Sequence, residues 1–401
     1  MPCRINYFLH NFLNCFCILS LMVSVKEFEG IRPKNPEEFC IKPYDVISKE
    51  EEEELRKGNN AIHIILPEGE GEERYENARR AFEREIKNMV VDEPSMYLYE
   101  EGNRDFTQRG FILTVSLKDY GAGKIKKHEE TREKPLRDRI KHIEATGANT
   151  GLVWTIFRSR EEIKKIMDEI SSKEPVFDFS KYGYNHKLWR IGREHINTIK
   201  KLFSNIDLYI ADGHHRIAAA YEYMKKHGGG EAEYVMVFAA NDDETRILPY
   251  NRVIRKIDNS DFIDEIRENF EVSEMDIIKE PEKHEIQMYW NNKWWQLIPK
   301  HIPEDSVNSL DVSILQEKLL DPILGIKDVR NDPNIFFVGG DISREEYEKF
   351  VDEKGNDAVF YLHPTSIEEL ERVADERRSM PPKSTWFDPK LLTGLVFHRL
   401  E

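Results

Sequence analysis

The sequence predicts a mixed α/β, or α+β, fold, and three observations carry that expectation. Strand-like and helix-like windows alternate along most of the chain. The 401 residues are 39% hydrophobic and 33% charged, which suits a globular chain with a sizeable core and two lobes. No fixed-period repeat or long low-complexity linker interrupts the pattern.

The first 22 residues, MPCRINYFLHNFLNCFCILSLM, differ from the rest. They are apolar and aromatic, with Arg4 near the start. Asn6, His10, Asn11 and Asn14 break the run and no small-x-small site follows, which speaks against a signal peptide. The stretch is also too short and broken to span a membrane. The expectation is an extension outside the fold, with the working protein starting near Met22. Cys3, Cys15, Cys17 and Cys40 are the four cysteines, so no disulfide or CxxC framework staples the main body. A reducing, cytoplasmic location is expected. The net charge of −16 argues against a general nucleic-acid binder, though a local basic pocket for a small anion stays compatible with it. Neither nucleic acid nor membrane is expected as a partner, and the oligomeric state is left open.

Taken in order, AIHIILP (61–67) reads as a short buried strand, and residues 72–91 as a helix with Tyr75, Ala78, Phe82, Ile86 and Met89 on one face. SMYLYEE and RGFILTVSLKDY read as a hairpin joined by residues 102–108. A polar loop then leads to the helix LRDRIKHIEAT, the strand GLVWTIFRS and the helix REEIKKIMDEISS. Residues 175–190 read as paired strands, EHINTIKKLFS as a helix, and LYIAD and EYVMVFAAND as strands. Beyond Pro249 come a charged helix at 261–270, a hairpin turning at Asn291-Asn292, helices at 310–320, 343–353 and 366–377, and the strands NIFFVG and DAVFYLHP. The expected organisation is a main domain over 23–255 and a second α/β lobe over 256–401 whose C-terminal segment returns to the site.

The chemistry concentrates in DLYIADGHHRIAAAY (207–221). With LYIA as a strand and IAAAYEYMKKH as a helix, Gly213 sits in the turn, and His214, His215 and Arg216 fall at the helix start. Free N–H groups and the positive end of the dipole gather there, which makes an anion site. Arg216 adds a permanently charged fork suited to phosphate. Asp212 is placed to cap the helix, accept a proton or hold a cation. Two imidazoles and a guanidinium are like-signed when protonated, and an anion would relieve their repulsion. A plain Asp-Gly turn and a metal site remain as alternatives. GAGK at 121–124 lacks the GxxxxGK[ST] spacing, and HEET at 128–131 lacks the second His of HExxH.

Two further constellations stand out. KKHEETREKPLRDRIKHIEATGAN (126–149) gathers His128, Glu129, Thr131, Asp138 and Arg139 around a loop and helix, closed at Gly147 beside Asn149. On a helix, Asp138 and Arg139 are expected to point in different directions. KSTWFDPK (383–390) offers Lys383, Ser384 and Thr385 as an anion clamp or a plain turn, and PYNRVIR offers Arg252 beside a strand. There is no GxSxG elbow.

IADGHHRIAAAYEY, the HEET…DR…TGAN block and MPPKSTWFDPKLLTGL together resemble the family called domain of unknown function 1015, over nearly the whole chain from about residue 23. VSVKEFEGIRP is similar to the family's usual beginning. Ile217 stands where an aromatic residue is more typical. The resemblance implies a relationship to the ParB/sulfiredoxin-like group, and so a phosphate-binding core with additional α/β elements. It implies a small-molecule kinase that phosphorylates free L-serine to O-phosphoserine with ATP, ADP or pyrophosphate and Mg²⁺. His214, His215, Arg216 and the helix start would hold the transferring phosphate. Asp212 or Glu129 would orient or deprotonate the hydroxyl. His128, Thr131 and Arg139 would line the pocket, with Asp138, Asn149 and Arg252 in the binding set and Lys383–Thr385 as a clamp. A ParB-like nucleotide switch or adaptor, and a metal-dependent hydrolase, are the competing readings.

Overall fold

In the computed structural model, residues 23–401 are described, so the expected N-terminal extension, with three of the four cysteines, lies outside the described residues. Cys40 is free and buried. The chain divides into two units. The first takes residues 23–126, 131–245 and 389–401, and the second takes 127–130 and 246–388. The mixed α+β expectation holds in both.

The first unit is built on a nine-stranded mixed sheet. In chain order its strands are β1 (Val25–Lys26), β2 (Tyr97–Gly102), β3 (Thr107–Ser116), β4 (Ile125–Lys126), β5 (Val153–Phe157), β6 (Phe177–Lys181), β7 (Tyr184–Arg190), β8 (Leu208–Asp212) and β9 (Tyr234–Asn241). The spatial order is β4-β8-β5-β9-β3-β2-β7-β6, with β1 beside β3. Only β8–β4 and β9–β5 run parallel. The ten residues of β3 explain how one edge serves two neighbours. Thr107–Ile112 pair with β2, Thr114 and Val115 pair with β1, and β9 covers the other edge. Strands β5 and β9 are buried almost throughout, as strands covered on both faces must be.

Its longer helices are α1 (Glu73–Glu85), α2 (Glu133–Thr146), α3 (Glu161–Ser171), α4 (Arg193–Phe203) and α5 (His214–His227). Helix α2 ends where expected, at Gly147 in the left-handed region (φ 59°). Helix α5 buries Ile217 and three consecutive alanines, and it packs on α2. A small four-stranded sheet joins the first and last described parts of the chain through Gly30–Arg32, Val90–Val91, Phe397–Arg399 and Ala148–Asn149.

AIHIILP departs from expectation, being a one-turn helix at Ile62–Ile65 rather than a strand. The Asn60 carboxamide accepts the Ile62 N–H, and the Ala61 carbonyl accepts from Ile64 and Ile65, so the chain closes a turn locally. A short run buried on all sides carries no period to separate helix from strand.

The second unit holds a six-stranded, wholly antiparallel sheet, whose strands are β10 (Tyr250–Ile254), β11 (Phe270–Glu274), β12 (Ile286–Trp290), β13 (Lys293–Pro299), β14 (Ile335–Gly339) and β15 (Ala358–Leu362). Their order is β11-β13-β12-β15-β10-β14. Asn291 and Asn292 turn the β12–β13 hairpin with φ values of 52° and 58°, the geometry that makes Asn favourable there. Among the described residues no helix is long and apolar enough to cross a membrane.

Phe238 on β9 is fully buried between Trp154 and Tyr99, both edge-on to its ring at 5.9 and 5.8 Å. Phe238→Ala should cost about 3–5 kcal/mol through the cavity it leaves, read as a lowered urea midpoint.

Candidate functional site

Strand β8 does not run straight into its turn. Tyr209 faces Ile156 and Ile210 faces Thr155, but the next partner, Trp154, faces Asp212. One residue, Ala211, is therefore extra on β8. Such a bulge re-aims the side chain that follows it, here Asp212. Gly213 then adopts φ 93° and serves as the N-cap of α5. A Cβ at that position would lie 2.9 Å from the Arg216 Nε, so the left-handed backbone favours glycine and a side chain there would push the guanidinium aside. The expected Asp212 side-chain cap is not formed. Asp212 instead accepts the Gly213 N–H at 2.7 Å, one residue ahead of the helix. The helix's own bonds begin with the Arg216 N–H, so the His214 and His215 N–H groups lie ahead of the ladder.

Asp212 is the electrostatic centre of this turn. Its side chain is 26% exposed, and one oxygen lies 3.6 Å from both Arg216 Nη2 and Lys390 Nζ. Burial alone would raise its pKa. Lys390, Arg216, the Gly213 N–H and His214 outweigh that and hold the carboxyl well below the usual carboxylate range. Arg216 also donates through Nη1 to the Leu152 carbonyl, which fixes the guanidinium beside the turn. His215 accepts the Arg132 N–H on Nε2 at 2.9 Å, so its ring proton sits on Nδ1 and the imidazole is neutral. His215 therefore adds no repulsion beside Arg216. The positive field on Asp212 comes from Lys390, Arg216, the Gly213 N–H and His214.

Helix α2 supplies the opposite wall. Arg139 is buried, lies over the Tyr44 ring at 4.4 Å, and binds its own neighbour Asp138 through Nε and Nη2 at 3.0 and 2.6 Å. The expectation that these two point apart is corrected, since Asp138 folds back onto Arg139. The carboxylate also accepts the Tyr75 hydroxyl at 2.9 Å, and Arg74 lies 3.4 Å away. Burial would raise the Asp138 pKa, but Arg139, Tyr75 and Arg74 together lower it. A cleft of about 500 Å³, part of it open to solvent, is lined by Tyr44, Arg139, His142, Asn149, Thr150 and Arg216 among others. His142 is buried and donates from Nε2 to the Ile64 carbonyl at 2.7 Å. Burial, then Arg139, pull its pKa down to about 3. The Asn149 carboxamide oxygen is engaged by the Met236 N–H and by His398 Nδ1, both at 3.1 Å, so Asn149 braces this wall.

The other expected residues divide between the units. Thr131 lies half-buried in the first unit, just ahead of α2. His128, Glu129, Arg252 and Lys383–Thr385 belong to the second unit. There His128 is buried and its carbonyl accepts the Met380 N–H, while Glu129 is half-buried. Ser384 is buried and its hydroxyl donates to the Pro381 carbonyl at 2.7 Å, so that proton is used inside the turn. Lys383 sits over the Tyr250 ring at 5.0 Å with φ 59°. Sequence reasoning missed Lys390 and Tyr44. Lys390 lies 178 positions from Asp212 and Tyr44 in a loop, and neither falls in a window whose period marks it. Among the described residues no three His, Cys, Asp or Glu side chains converge as a metal site.

A left-handed glycine, a helix start and two cations beside an ionised aspartate make up a strand–turn–helix junction in a mixed α+β unit. The chain belongs to the family described as protein of unknown function (DUF1015), whose model matches residues 25–313. A comparison with curated proteins finds no match. Solved structures similar to the chain include a free serine kinase in complex with AMP, at 14% identity and a TM-score of 0.39, covering 72% of this chain and 92% of that one. A conserved hypothetical protein from Pyrococcus furiosus is 15% identical, with a TM-score of 0.38 and coverage of 72% and 95%. C-terminally truncated SbnI from Staphylococcus aureus is 13% identical, with a TM-score of 0.38 and coverage of 70% and 85%.

Gly213→Ala should cost about 1–3 kcal/mol, through left-handed strain and displacement of Arg216, measured by chemical denaturation. His142 makes stability pH-dependent. The folded imidazole stays neutral to about pH 3, whereas the unfolded one takes up a proton near its ordinary value of 6.5. Its contribution is complete above that value and is lost progressively as pH falls from 6.5 toward 3. His142→Gln, which retains a donor for Ile64, should flatten the fall in urea midpoint between pH 7 and pH 5.

Proposed function

We propose that the protein is a small-molecule kinase that phosphorylates free L-serine to O-phosphoserine, with ATP, ADP or pyrophosphate as donor. The observation that carries this reading is the turn at Asp212–Arg216. A helix start, a guanidinium and a lysine ammonium face one strongly ionised carboxylate. Phosphoryl transfer asks a protein mainly for positioning and charge neutralisation, and this turn supplies both. The substrate class comes from the family resemblance carried by the DGHHR, HEET and KSTWF motifs.

In this mechanism the helix start and Arg216 hold the transferring phosphoryl group, with His214 and His215 flanking it and Arg139 on the facing wall. Lys390 neutralises charge that builds during transfer. Asp212 is too weak a base to take the serine proton efficiently, because its neighbours stabilise the carboxylate. It orients the hydroxyl, whose proton passes to an oxygen of the transferring phosphoryl group as the bond to the donor breaks. Mg²⁺ would come with the donor phosphates. Such an ion takes one or two carboxylates plus phosphate oxygens, and Asp212 is the anionic oxygen donor that fits. Bound there, it would screen the phosphate charge.

Incubation of the purified chain with serine, Mg²⁺ and each donor in turn should yield O-phosphoserine with at least one of them. Absence of product with all three removes the proposal, and nucleotide-dependent retention of DNA on a filter would favour the switch instead. Asp212→Asn should lower turnover by about 10²-fold or more when assayed well below its melting temperature, which should also fall because the amide keeps the Gly213 N–H but loses the charge opposite Arg216 and Lys390. Unchanged turnover takes Asp212 out of the mechanism.

A further inference from the structure

A second cationic site lies wholly within the second unit. Arg252 on β10 is only 2% exposed. Its guanidinium lies 5.3 Å from the centre of the Phe337 ring and donates from Nη1 to the Tyr250 carbonyl on its own strand. Among the described residues no carboxylate pairs with it. Burial of a cation without a counter-ion is costly, and an arginine kept at that cost calls for an anion supplied from outside. Burial pulls its pKa below the ordinary guanidinium value, yet it stays cationic at neutral pH.

Arg252 faces a cavity of about 650 Å³, part of it open to solvent, which Lys327, Arg330, Asp328 and Gln316 also line with an apolar rim of valine and proline. Asp328 is tied into its own loop, where it accepts the Arg330 N–H at 3.0 Å and the Asn331 amide at 2.7 Å. Three cations therefore outnumber one engaged carboxylate. Gln316 supplies an independent sign. Its Nε2 donates to the Ile326 carbonyl at 2.8 Å, which fixes the orientation of the amide, and its Oε1 is buried with no hydrogen-bond partner. Gln316 also opens a π-helical turn, Gln316–Leu320, a strained geometry that recurs at functional sites.

We propose that this cavity binds a small phosphate-bearing molecule, its phosphate held by Arg252, Lys327 and Arg330 and an adjacent hydroxyl or ammonium donating to Gln316 Oε1. The planar fork of Arg252 matches two phosphate oxygens, and three cations balance a dianion better than a carboxylate. The site is independent of the kinase reading of the first unit.

Titration calorimetry on the full chain tests it, with inorganic phosphate, O-phosphoethanolamine and acetate as probes. The wild-type protein should bind phosphate saturably, and phosphoethanolamine about tenfold more tightly, because its ammonium adds a charged donor for Gln316 beyond the phosphate itself. Arg252→Met should remove this binding. Gln316→Met should leave phosphate binding intact and abolish the advantage of phosphoethanolamine. In phosphate-free buffer Arg252→Met should also raise the melting temperature, by about 2 °C or more, because it removes an uncompensated buried charge, and phosphate should then no longer raise it further. Phosphate binding by Arg252→Met equal to wild type overturns the proposal, because the anion then binds elsewhere. A melting temperature lowered by that substitution overturns it too, because the guanidinium is then structural. Acetate binding as tightly as phosphate overturns the assignment of the ligand class.

Discussion

The ionised Asp212 carboxylate is the interaction on which the site of the first unit depends. It ties together the bulged end of β8, the left-handed Gly213, the first turn of α5 and Lys390 near the C-terminal end of the sequence. Each partner needs it. Without it, Arg216 and Lys390 would be two half-buried cations facing the positive end of a helix. With it, they are held in place yet only partly neutralised, since both ion pairs are 3.6 Å long. In the proposed reading, a phosphate would meet cations already oriented by the turn, with little reorganisation left to do.

Histidines are frequent around this site, and most are held neutral. His215 uses a ring nitrogen to accept a backbone N–H, and His142 donates to a carbonyl and is driven neutral by burial. The Asp212 carboxylate is held chiefly by Lys390 and Arg216, with His214 adding to them. On α2, Asp138 neutralises Arg139, and the Arg139 guanidinium lies 4.4 Å from the centre of the Tyr44 ring.

Much of this was legible in the sequence. Elements with a strong signal fall where expected: α3 and α4 carry an amphipathic stripe, and β2 and β3 are long apolar runs joined by a polar turn. The DGHHR junction was readable because strand, glycine and helix follow one another within a few residues. What failed is non-local or aperiodic. AIHIILP is buried on all sides and so shows no period. The β8 bulge is a single residue of register with no compositional mark. Asp138 and Arg139 were expected to diverge because side-chain reach along α2 is not visible from spacing. Lys390 was invisible because its partner is brought to it by the fold, and His215 was expected to be a potential cation because the N–H that neutralises it comes from Arg132.

The second unit is inserted into the first, entered after Thr245 and left before Pro389. Arg246–Leu248 and Trp386–Asp388 pair as antiparallel strands and bring the two crossing points side by side. Gly30–Arg32 pairs with Phe397–Arg399, so one of the earliest described strands waits for one of the last. During synthesis the whole second unit leaves the ribosome before Lys390, and residues 389–401 complete both the small sheet and the charge around Asp212. The first unit therefore reaches its finished state only once that segment has been made, and a chain cut before it presents the Asp212 turn without the lysine that balances it.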